Sequence, residues 1–216
     1  MDYLEIYLRA IREPISELQE SFDAEVQMLS SFLTPTSTIL DIGCGAGRVA
    51  ELLAPLTGNI TAIDNNNHVL TIARKECHNL ENIEILFGDA LALPFDNETF
   101  DITYSTMNTI GTFPEEKQAV FLNEMARVTK PNGYIINTTW RTDPEATEDI
   151  RTYYEHYYQQ MGHDILEINE SRTVTTKGTF ERLSEEKLRN LYGNAGMQKI
   201  EFQTLGPLFL GIVGTK

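Results

Sequence analysis

The chain has 216 residues, with 17 Lys plus Arg against 32 Asp plus Glu and a formal net charge of −15. Hydrophobic residues make up 41% and charged residues 23%, an ordinary globular composition that excludes a disordered or fibrous chain. A surface this acidic repels phosphate, so neither a nucleic acid nor an anionic membrane is an expected partner.

The N-terminal stretch MDYLEIYLRA lacks a signal-peptide core, and no run reaches the roughly 20 apolar residues of a membrane span. A soluble, cytoplasmic protein is the expectation. Cys44 and Cys77 are too few for a disulfide scaffold and have no metal-ligand spacing, so no metal is expected.

Over residues 1 to about 33, Leu4, Leu8, Ile11, Ile15, Leu18, Phe22, Val26 and Leu29 recur at helical spacing. Pro14 divides this stretch into two predicted helices, a cap over residues 1–35 that Pro35 closes. From Thr38 onward, short Ile- and Thr-rich runs at 38–42, 59–63, 83–87, 101–105 and 134–139 alternate with helical patterns at 47–56, 66–79 and 115–129. Such alternation predicts a parallel sheet covered on both faces over 36–140. Pro131-Asn132-Gly133 reads as a turn before the fifth strand.

Residues 141–183 break the rhythm with a charged run, then Tyr153, Tyr154, Tyr157 and Tyr158, then the Thr-rich TVTTKGTF. This segment reads as a lid or substrate insertion. A helix over Ser184–Asn194, N-capped by Ser184 and closed near Gly196, leads into two strands at 199–205 and 208–214. Gly206-Pro207 between them predicts an antiparallel hairpin, so 184–216 is the last helix and hairpin of one domain spanning 1–216.

The stretch most informative for chemistry is Asp41-Ile-Gly-Cys-Gly-Ala-Gly-Arg-Val49, between a predicted strand and a predicted helix. Glycines at 43, 45 and 47 allow positive φ and close approach of a ligand, and backbone amides at the helix start are expected to face that ligand. Asp64 ends the next strand, where a carboxylate can accept ribose hydroxyls. A dinucleotide fingerprint puts its third glycine three places after the second. Here the gap is two and Arg48 follows, which weighs against a nicotinamide dehydrogenase.

Five ordered motifs together resemble the class I S-adenosylmethionine-dependent methyltransferases: DIGCGAG at 41–47, AID at 62–64, Gly88-Asp89-Ala90, FDITYS at 100–105 and ARVTKPNGYIIN at 126–137. The resemblance implies a Rossmann-like, doubly wound and mostly parallel α/β sheet ending in an antiparallel hairpin, with an N-terminal helical cap. It implies S-adenosyl-L-methionine as cofactor. Gly43, Cys44 and Gly45 would lie under the methionine part, with Asp41 near its amino group and the Ser105 carbonyl, or a neighbour's, at the ammonium. Asp64 would take the ribose, Asp89 the adenine amine, and the Ala90 amide a ring nitrogen. Two positions depart from the pattern. Asn65 replaces the apolar residue that stacks on adenine, and Asn132 stands in the Pro-Gly-Gly turn.

The acceptor is expected to be a small molecule with an O, N or C nucleophile, methylated in line. A protein acceptor, RNA, or a non-catalytic adenosylmethionine-binding regulatory role are the alternatives, and the chain is expected as monomer or homodimer. Candidate acceptor-side residues are His156 as base, Tyr157 in the aromatic run, and Asn108 after the fourth strand. For the tyrosines, a half-buried helix face is the competing reading. Tyr3 and Tyr7 could close over the cofactor, and Trp140 could belong to core or pocket rim. Arg182 could hold an acidic acceptor, with a surface ion pair as its alternative. His68, His78 and His163 read as surface or capping residues.

Overall fold

A computed structural model describes residues 3–159, 162–176 and 178–216. Two helices open the chain, α1 (Tyr3–Arg12) and α2 (Ser16–Ser30), broken at Pro14 as its missing amide requires. A β/α alternation follows: β1 (Thr38–Ile42), α3 (Arg48–Leu53), β2 (Asn59–Asp64), α4 (Asn67–Glu76) and β3 (Ile83–Phe87). It continues with β4 (Phe100–Ser105), α5 (Glu115–Val128) and β5 (Thr129–Trp140). These strands and a terminal hairpin, β9 (Lys199–Leu205) and β10 (Phe209–Thr215), form one sheet in the order β3-β2-β1-β4-β5-β10-β9. The first five run parallel, and β10 lies antiparallel to both β5 and β9. Strand order reverses at β1 and β4, and the crevice outside the strand ends there is where open α/β sheets take ligands.

Buried apolar side chains gather in two clusters. One joins α1, α2, α3 and α4 with residues of the sheet, and the other joins α5 and α7 (Glu185–Asn194) to it. Local chemistry fixes the helix starts. Asn66 caps α4 through the His68 amide at 3.0 Å, and Ser184 caps α7 through the Lys187 amide at 3.3 Å. Gly196 closes α7 with φ +87°.

The structure adds detail at two places and corrects one expectation. Ile6 and Ala10 are the buried residues of α1, and Leu4 and Tyr7 line a cavity. Pro131-Asn132-Gly133 is no separate turn: β5 begins at Thr129 and carries the irregularity as a shift in register against β4, with Asn132 at φ +63°. Within 141–183, α6 (Pro144–Tyr157) is followed by a three-stranded antiparallel sheet of β6 (Ile165–Ile168), β7 (Arg172–Thr175) and β8 (Gly178–Glu181). Among the described residues no helix is long and apolar enough to cross a membrane.

Candidate functional site

The glycine loop leaves β1 with positive φ at Gly43, Gly45 and Gly47. A Cβ on Gly45 would stand 2.1 Å from the Tyr7 hydroxyl, so only glycine admits that phenol. The expectation that loop amides face a ligand fails here. Gly43 and Cys44 both donate to the Ile63 carbonyl, at 2.8 and 2.9 Å, and Gly47 donates to the Cys44 carbonyl at 3.0 Å. The Gly45 amide donates to Asp64 Oδ2 at 3.0 Å, and the Ala46 amide to the Tyr7 hydroxyl at 3.1 Å. Every amide from 43 to 47 is spent within the chain.

Asp64 closes its second oxygen on the Asn66 amide at 2.9 Å. An ionised carboxylate offers about four acceptor sites, so room remains for two hydroxyls. Burial raises its pKa, against the lowering effect of those amides. Gly88, Ala90 and Asn65 line the cavity beside it. Asp89 lies at the exposed corner, with one oxygen accepting the Leu91 amide at 2.9 Å as a local turn.

Asp41 is 1% exposed and lies opposite Tyr104 in the β1–β4 register. Neither carboxylate oxygen has a hydrogen bond of normal geometry, and neither has the Tyr104 hydroxyl. Burial pushes the Asp41 pKa up to about 7, opposed by the Tyr104 hydroxyl and the Arg48 charge. Burial likewise raises the Cys44 thiol, which stays protonated at neutral pH. Ser105 ends β4 with its hydroxyl buried and unpartnered, and the next three residues, Thr106 to Asn108, line the cavity. Asp41, Tyr104 and Ser105 are not among the described residues that line the cavity, so these unpaired polar atoms, costly to leave buried, lie behind its wall.

Two residues overlooked in sequence complete this end. Glu25 on α2 is 0% exposed, forms an ion pair with Arg48 and accepts the Thr138 hydroxyl. Thr138 in turn accepts the Met107 amide at 2.9 Å. The available signal was an acid on an apolar face, three residues after Phe22 and four before Leu29.

The cavity, of about 500 Å³, continues from the glycine loop to an aromatic wall of Trp140, Tyr153, Tyr154, Tyr158 and Phe180. Trp140 and Tyr153 pack at a tilt with centroids 4.9 Å apart, and Phe180 meets Tyr154 at 6.0 Å. Asn108 (φ +62°) lines it too, but its amide is committed: Thr139 donates to its oxygen, and its nitrogen donates to the Glu181 carbonyl at 3.2 Å. His156 and Tyr157 are absent from the wall among the described residues. The Tyr157 hydroxyl instead contacts Glu13 and Ile15, and His156 packs edge-on against Tyr157. Tyr7 lies over the loop, whereas the Tyr3 side chain is outside the described residues. Arg182 is not a surface ion pair. It is 4% exposed, reaches Thr147 Oγ1 and the Arg172 carbonyl at 3.4 Å each, and burial lowers its pKa. Among the described residues no group of three His, Cys, Asp or Glu side chains could hold a metal ion.

Residues 39–133 match the model of a methyltransferase domain. Demethylmenaquinone methyltransferase of Staphylococcus haemolyticus (strain JCSC1435) is 28% identical over 173 residues, covering 78% of this chain and 71% of that protein. The enzyme of the same name from Staphylococcus aureus (strain JH9) is 27% identical over 171 residues, covering 76% and 69%. A SAM-dependent methyltransferase from Aquifex aeolicus shares the fold with a TM-score of 0.71 at 22% identity, over 100% of this chain and 98% of that one. A second, from Methanosarcina mazei, superposes with a TM-score of 0.66 at 21% identity, over 88% and 96%.

Proposed function

We propose that the chain is a class I S-adenosylmethionine-dependent methyltransferase whose methyl acceptor is a small, planar, uncharged molecule. The observation that carries this reading is one cavity joining the glycine loop to an aromatic wall. The charged side chains among its described lining residues are Asp64 and Arg48, both at the loop end. At the other end, Trp140 and the tyrosines offer faces that stack a flat ring, and apolar rings bury well there. The small-molecule reading is also supported by relatives named demethylmenaquinone methyltransferases.

When bound, S-adenosylmethionine supplies an electrophilic methyl on a positively charged sulfur. In this reading Asp64 accepts the ribose hydroxyls with its remaining lone pairs, Gly88 and Ala90 border the adenine, and Asp89 reaches the adenine amine with its unspent oxygen. Gly43, Cys44 and Gly45 form the floor under the methionine chain. Asp41 and the carbonyl of Ser105 or a neighbour lie toward the ammonium. α6 and β8 close the acceptor end as a lid, and the aromatic wall excludes water and aligns the nucleophile in line. Asn108 holds that wall in place through Glu181.

Methyl transfer from isotopically labelled S-adenosylmethionine, read by mass spectrometry on a panel of planar phenols and quinols, aliphatic amines and peptides, tests the reading. Labelled products are expected from the planar group. Transfer confined to amines or peptides would overturn it.

A further inference from the structure

The loop amides that a cofactor carboxylate would ordinarily meet are already committed inside the chain, from Gly43 to Gly47. Two side-chain donors on the same cavity wall are not. The Tyr7 oxygen accepts the Ala46 amide at 3.1 Å, which leaves its own O–H to donate. Arg48 gives Nη2 to Glu25 and lies over the Phe22 ring at 3.7 Å, while its buried Nη1 has no partner.

We propose that Tyr7 and Arg48 together form the receptor for the α-carboxylate at the methionine end of the cofactor. The inference rests on the cofactor assignment and adds residues of the cap that lie outside the matched 39–133 segment, Tyr7 directly and Glu25 as the group that positions Arg48. The guanidinium is preorganised: Glu25 fixes one nitrogen, Phe22 fixes the plane, and Thr138 fixes Glu25. A donor fork held in this way loses little further side-chain freedom on binding a carboxylate. Burial raises the Tyr7 pKa, so the phenol remains a donor throughout the neutral range. With Asp41, Asp64 and Glu25 nearby, an anionic ligand group needs such a cation to be tolerated at all.

Titration calorimetry with S-adenosylhomocysteine, its decarboxylated analogue and 5′-methylthioadenosine tests this without reference to turnover. Arg48→Met is expected to weaken adenosylhomocysteine binding by about 10- to 100-fold while leaving the two carboxylate-free ligands within about twofold of wild type. Because Arg48→Met strands Glu25, Tyr7→Phe provides an independent variant, with a loss of roughly five- to tenfold expected for adenosylhomocysteine alone. Equal losses for all three ligands, or unchanged adenosylhomocysteine binding in the Tyr7 variant, would overturn the proposal. If wild-type protein binds neither adenosylhomocysteine nor methylthioadenosine, the cofactor assignment beneath it fails first, and the two failures are thereby distinguished.

Discussion

Tyr157 on α6 accepts the Ile15 amide at 2.8 Å, where the two cap helices part. Its own proton goes to the Glu13 carbonyl, also at 2.8 Å. Pro14 makes this break, and the backbone groups exposed by it would otherwise need water or another partner. The phenol supplies both partners at once and so ties cap and α6 together.

Tyr157→Phe keeps the ring and removes both bonds. The expected cost is about 1–3 kcal/mol, a fall in Tm of roughly 3–10 °C for a chain of this size. Limited proteolysis gives a local readout, because loosened cap helices should be cut sooner near Pro14. An unchanged melt and cleavage pattern would show that the bridge contributes nothing.

Asp41 carries a pH dependence. Burial raises its pKa to about 7, so the folded state holds a proton that the unfolded state releases near pH 4. The associated stability is fully present below the unfolded value and is lost as pH rises through about 7. Asp41→Asn removes this dependence while keeping shape. Melts of the cofactor-free protein should therefore show the variant gaining on wild type between about pH 4 and 7 and holding a constant lead above that. A difference that does not vary with pH would mean that Asp41 is not the titrating group.

Gly111 is the point where residues after β4 meet β8. A Cβ there would stand 2.3 Å from the Glu181 carbonyl and 2.5 Å from the Asn108 amide. Backbone and a doubly bonded amide cannot give way cheaply. Gly111→Ala is expected to destabilise by about 1–3 kcal/mol, measured by urea unfolding. It should also loosen β8, so amide exchange over 178–181 should quicken beyond the global change.

These contacts mark where sequence reading stops. TILDI, NITAI and the glycines at 43, 45 and 47 are legible because strand periodicity and positive φ are local properties of the chain. The cap break at Pro14 and the caps at Asn66 and Ser184 are local too. By contrast, β6, β7 and β8 span four residues each, too few for a period to show, so their strand character comes from pairing with one another. Glu25 and Arg48 are 23 positions apart on different helices, and only packing of the cap on the sheet brings them together. The closure of the loop amides by Asp64 and Tyr7 is tertiary in the same way. The aromatic run shows the mixture: its helical spacing is plain, yet which tyrosines face the cavity depends on where α6 docks. Tyr153, Tyr154 and Tyr158 do, and Tyr157 is drawn to the Pro14 break.

Asp64 offers a direct test of the ribose contact. Its two amide bonds hold Gly45 and Asn66, leaving acceptor capacity toward the cavity. Hydrogen bonds to a charged group contribute about 1.5–3 kcal/mol each, so losing two from ribose hydroxyls costs on the order of 100-fold or more in affinity. Asp64→Ala should therefore abolish most S-adenosylhomocysteine binding in calorimetry, and Asp64→Asn should lose less, because its amide oxygen still accepts. The same order should hold for 5′-methylthioadenosine, which keeps the ribose, in contrast to the Arg48 and Tyr7 variants. An unchanged Kd in Asp64→Ala would remove this carboxylate from the ribose role.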